Sequence, residues 1–114
     1  MKDKVYFEFY RDFDKNPLSA GFYDSNILKT IKQNTKQSFY DPLNDKLETH
    51  IILARRIAYY KGNVIMVAVT LNTTPYIENL YFWSDEDIDK FNHYIHNCVC
   101  NAVENFKTEK EKKQ

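Results

Sequence analysis

Residues 41–62 read DPLNDKLETHIILARRIAYYKG, and whether they form a helix or strands decides the fold. Asp41-Pro42 is a helix start, an acid at the N-cap followed by proline at the first helical position, where its missing N–H costs nothing. Leu43, Leu47, His50, Ile51, Ala54, Ile57 and Ala58 then fall within roughly a third of the helical wheel. Lys61-Gly62 supplies a basic last turn and a C′ glycine. The alternative makes 49–60 a strand that turns at Lys61-Gly62 into the segment that follows. β-Branched Ile51, Ile52 and Ile57 favour it, but alternation fails at Arg55 and Arg56. The helix is the reading adopted.

Downstream, residues 63–72 are the clearest strand. The run Val64-Ile65-Met66-Val67-Ala68-Val69 is apolar throughout, as suits a central strand covered on both faces. Turn chemistry at Asn72-Thr73-Thr74-Pro75 predicts a hairpin with a second strand over 76–83. Ser84 then caps the last helix, with Asp87 three residues on in the capping-box position. Asp85, Glu86 and Asp87 put negative charge at the positive end of the helix dipole. Ile88, Phe91, Ile95, Val99, Ala102 and Phe106 form one apolar stripe for the core. The charged run from Lys107 extends the helix for a turn and then frays.

Upstream, residues 4–13 alternate with the period of a strand. Val5, Phe7, Phe9 and Phe13 are set inward, and Tyr6, Glu8, Tyr10 and Asp12 outward. Asp14-Lys15-Asn16-Pro17 ends the strand, and Gly21 lies in the loop beyond. Asp24-Ser25-Asn26 offers N-caps for a short amphipathic helix to about Gln37, with Ile27, Leu28, Ile31 and Thr35 at helical spacing. The expected fold is α+β: an antiparallel or mixed sheet of three to four strands with two to three helices on one face. The order is β-α-α-β-β-α, or β-α-β-β-β-α if 49–60 is a strand. Residues 1–106 make one domain, and 107–114 a charged tail.

The chain has 114 residues, enough for one core without staples. Sixteen basic and sixteen acidic residues cancel, which argues against a primary nucleic-acid binder and favours association with a protein partner or a second copy. Cys98 and Cys100 alone give no disulfide framework, so a reducing cytoplasm is the expected compartment. No apolar window reaches signal-peptide or membrane-spanning length. Heavy use of Lys, Asn, Ile and Tyr fits an AT-rich coding sequence, such as that of a low-GC bacterium or its phages.

Several clusters carry residue types that chemistry uses. Asp89, His93, His96 and Cys100 share one flank of the last helix and are all metal-ligand types, but ligands from a second element are missing from the pattern. Cys100 with His96 is the better thiol–imidazole pair, and it sits mid-helix without an oxyanion donor. Turn formation accounts for Asp12 and Asp14, and capping for the 85–87 acids. Two glycines exclude a glycine-rich phosphate loop. No cofactor is implied.

Nine tyrosines are the remaining signal, because tyrosine combines contact area, few rotamers and a polar tip. The expectation is a non-enzymatic protein-binding module, of the kind seen among small inhibitor, immunity and phage or mobile-element accessory proteins. Its surface is read as Tyr6, Tyr10 and Arg11, joined by Tyr59 and Tyr60. The alternative is nucleic-acid binding through Arg55, Arg56, Lys61 and nearby tyrosines. A third reading is a metal-dependent enzyme built on the last helix.

Overall fold

The computed structural model of the chain describes residues 4–71 and 83–112. Its elements are β1 (Lys4–Arg11), β2 (Ser19–Asp24), α1 (Ile27–Thr30), β3 (Lys36–Asp41), β4 (Lys46–Ile51), β5 (Ala54–Tyr60), β6 (Asn63–Thr70) and α2 (Asp85–Lys112). The α+β class and the mixed sheet hold. Four strands run in the order β2-β1-β6-β5, with β3 and β4 in a separate two-stranded sheet. The β1–β6 pair is parallel, and β1–β2 and β5–β6 are antiparallel. Both expected element orders are replaced. One long helix covers one face of the sheet, while the single-turn α1 and the β3–β4 hairpin cover the other.

The adopted helix over 41–62 does not form. Asp41 instead closes the β3–β4 turn, its carboxylate accepting from the Leu43 and Asn44 amides at 3.0 and 3.4 Å and from Asn44 Nδ2 at 2.7 Å. That is an Asx-type turn in which Pro42 follows the acid. The strand alternative is nearer, but the stretch makes two strands in two sheets. Between them Ile52 and Leu53, 0% and 1% exposed, enter opposite cores, Ile52 with Phe7 and Phe9, Leu53 with the α2 side. Lys61-Gly62 is a two-residue hairpin loop with φ of 50° and 79°, between paired Tyr60 and Asn63. Positive φ at both positions is the I′ signature, whose twist matches that of the flanking strands.

The helix expected to Gln37 stops after one turn. Asn34 takes φ 73°, Gln37 Nε2 donates to the Thr30 carbonyl at 2.8 Å, and the chain turns into β3. The segment around Gly21, read as loop, is the edge strand β2. Both edges of β6 are taken, by β1 and β5. The strand expected over 76–83 lies outside the described residues up to 82, and Trp83 is not in a strand.

The α2 start follows its sequence. The Asp87 amide donates to Ser84 Oγ at 3.1 Å, and the Ser84 amide to Asp87 Oδ2 at 3.2 Å, a reciprocal capping box. Phe91, Ile95, Ala102 and Phe106 of the stripe are buried, while Ile88 stays 42% exposed. No helix among the described residues is long and apolar enough to cross a membrane.

Candidate protein-binding surface

In the β3–β4 hairpin, side chains alternate between a face turned to the sheet and a face turned away. Phe39, Asp41 and His50 are buried and Glu48 half-buried. On the other face Ser38 pairs with Thr49, and Tyr40 with Leu47. Tyr40 is 51% exposed, Leu47 70%, and Leu43 in the turn 94%. Scattered exposed apolar residues are ordinary on any protein. Here two are direct cross-strand neighbours and the third sits at the tip of the same hairpin, which makes a patch.

The inner face holds that patch in place. The Phe39 ring stacks on Phe9 with centroids 4.0 Å apart. Arg11 Nη1 lies 2.5 Å from both carboxylate oxygens of Glu48, and its Nη2 is 3.9 Å from Asp41 Oδ2. His50 packs beside Phe9, with Nε2 3.9 Å from Glu48 Oε1. Thr70 Oγ1 donates to the Ile51 carbonyl at 2.6 Å. Hydrogen bonding from Asn44, reinforced by the Leu43 and Asn44 amides, holds the Asp41 carboxyl below its ordinary range. The Glu48 bond raises the Arg11 guanidinium. On the outer face, the Tyr40 hydroxyl donates to Asp45 Oδ1, which fixes the ring along the hairpin.

The tyrosines expected on an open face of β1 are buried. Tyr6 is 3% exposed, Tyr10 0%, and Glu8 between them 0%. β1 is a central strand, and α2 lies over the face read as outward. Tyr6 OH donates to Glu8 Oε2 at 2.6 Å, Tyr10 OH to Oε1 at 2.5 Å, and Asn105 Nδ2 to Oε2 at 2.8 Å. Asn101 Nδ2 donates to Tyr10 OH at 2.6 Å. Three donors on one carboxyl offset much of the cost of taking it out of water. Burial, then the bond and charge of Glu8, pushes both phenols above their ordinary value. Arg11, the third member of that expected surface, is the hairpin anchor.

Arg55 and Arg56 start from opposite faces of β5, yet both line one groove with Trp83, Ile88 and Asn92. Arg55 Nη1 is held by the Leu28 and Ile31 carbonyls at 2.6 and 3.0 Å on the α1 side. Arg56 lines the seam between β5 and α2 with Asn92 and His96. Tyr59 is 74% exposed, and Tyr60 is half-buried against Phe106. Lys61 Nζ lies 5.4 Å from the Tyr60 ring centroid. The β5 edge has no strand partner among the described residues.

The α2 flank is divided too. His93 lines a cavity with Phe13 and Lys15, and His96 the seam with β5. Among the described residues, His96 Nε2 and Cys100 Sγ meet at 3.6 Å. No group of three or more His, Cys, Asp or Glu is placed to hold a metal ion among the described residues. Cys98 is buried, as its place near the stripe predicts, and burial pushes its thiol up to about 11. The sequence reading missed the hairpin patch. The signal was present in Asp41-Pro42-Leu43-Asn44-Asp45, which is as good a turn as a helix start.

No protein-family model matches the chain, and neither the curated proteins nor the solved structures contain a match to it.

Proposed function

We propose that the protein is a non-enzymatic protein-binding module that occupies the surface of a larger partner through the β3–β4 hairpin. What carries the reading is the contrast between the hairpin's two faces. The inner face is tied down by Phe39, Glu48, His50 and Asp41, while the outer face and tip leave Tyr40, Leu43 and Leu47 in water. Each such side chain contributes about 1.5–3 kcal/mol when an apolar pocket takes it out of water. The fold commits little entropy at binding, because the hairpin is already fixed. The partner site that fits is an apolar cleft wide enough for a two-stranded finger.

Capture from host lysate with the full chain tests the reading. The wild type is expected to retain a stoichiometric protein. Leu43→Asp with Leu47→Asp should release it, and Tyr59→Ser on the edge strand β5 should not. Retention by the double Asp variant, or loss only with Tyr59→Ser, would move the surface to the β5 edge.

A further inference from the structure

The turn after β1 carries an irregularity that the hairpin does not explain. Asp12 and Phe13 both lie in the left-handed region, at φ 55° and 61°. Non-glycine residues rarely go there, and a bulky aromatic least of all. The conformation is held from several sides. The Asp12 amide donates to the Thr70 carbonyl at 3.1 Å and the Asp14 amide to the Arg11 carbonyl at 2.9 Å. Two α2 side chains clamp the same turn, Tyr94 OH on the Arg11 carbonyl and Asn101 Nδ2 on the Lys15 carbonyl, each at 3.3 Å.

The strained turn sets the Phe13 ring against Tyr94, centroids 4.9 Å apart, and leaves Phe13 40% exposed. Beside this pair is a cavity of about 500 Å³ between the turn and α2. Its size is that of a small-molecule site. The two rings and the Cys98 side chain make its apolar surface. Lys15, Lys90 and His93 line it with Asp14, while Asp12, the other acid whose charge reaches Tyr94, also acts on Arg11. Lys90 Nζ lies 5.0 Å from the Phe13 ring centroid, so one cation is already drawn to the aromatic wall. Burial keeps the Cys98 thiol in its neutral form at ordinary pH, so the wall places no thiolate opposite an incoming anion.

We infer that this cavity binds a small planar aromatic anion, a carboxylate or sulfonate, with its ring on Phe13 and Tyr94 and its charge toward Lys15 and Lys90. An apolar slot with excess positive charge at its rim selects that combination over a neutral ring or a non-aromatic anion. The site is independent of the hairpin surface.

Salicylate and its neutral counterpart salicylamide separate the two contributions, followed on the amide resonances of the full chain. Salicylate should give saturable shifts concentrated in residues 13–15 and 90–101, with a dissociation constant at least about tenfold below that of salicylamide. Asn97→Trp, at an exposed wall position of α2, should fill the cavity and abolish the shifts. Lys90→Glu, also at an exposed position, is the second variant, and it should weaken salicylate binding while leaving salicylamide unchanged. Equal affinity for the two compounds, shifts confined to other regions, or no saturable shift at any of these residues would overturn the assignment. So would undiminished salicylate binding to a folded Lys90→Glu protein.

Discussion

Arg11 at the end of β1 and Glu48 in β4 meet with the guanidinium Nη1 2.5 Å from both carboxylate oxygens. This is the charged tie between the main sheet and the hairpin. Arg11→Ala should therefore loosen the hairpin more than the sheet. The expected loss is about 1–2 kcal/mol, toward the low end for a charge-assisted bond because both side chains keep some water contact. Hydrogen exchange should show faster amides in 36–51 and little change in β1 and β6. Uniform acceleration across both sheets would contradict this.

Glu8 and Asn105 lie 97 residues apart and meet at 2.8 Å inside the core. Glu8→Ala should cost about 3–5 kcal/mol, since it strands two phenols and an amide in a buried space. Glu8→Gln, which keeps the shape and one acceptor oxygen, should cost markedly less. Chemical denaturation of the two variants checks the order.

High pH should unfold the protein through its buried acids. Burial raises the Cys98 thiol from 9.0 to about 11, and it raises the phenols of Tyr6, Tyr10 and Tyr94. The folded state then holds protons that the unfolded chain has released. The contribution of Cys98 is fully present below pH 9 and is lost as pH rises through about 11; the phenols continue the loss at higher pH. Denaturant midpoints should fall above pH 9. Absorbance near 295 nm should show these three phenols ionising only with unfolding.

The thiols should separate by reactivity. Cys100 is exposed and Cys98 buried. A disulfide reagent at neutral pH should therefore modify one thiol quickly and the other only on unfolding. Two fast thiols would contradict the packing of α2.

Parts of this structure were legible in the residues. Ser84 and Asp87 mark the α2 start because a capping box is local chemistry. The run at 64–69 marks a central strand because six successive apolar side chains, three of them β-branched valines and one an isoleucine, lie between turn residues at Gly62 and Asn72. The middle stretch misled because Leu43, Leu47, His50 and Ile51 fall on one face of a helical wheel, yet Leu43 and Leu47 stay in water. Their wheel position is a coincidence of spacing, and the Asx turn at Asp41 is what the local sequence encodes. Period-two alternation correctly separates Tyr6, Glu8 and Tyr10 from Phe7 and Phe9, but it fails for Phe13, because β1 ends at Arg11 and the turn sets Phe13 against Tyr94 of α2. It carries no information on what covers each face. The cover for Glu8 is Asn105, which lies beside an apolar stripe drawn from apolar residues alone.

The most direct test of the hairpin surface is photocrosslinking in host cells, with benzoylphenylalanine placed singly at positions 43, 47 and 59. One discrete crosslinked protein is expected from positions 43 and 47, and none from 59. A product from position 59 alone, or no product from 43 and 47, would contradict it.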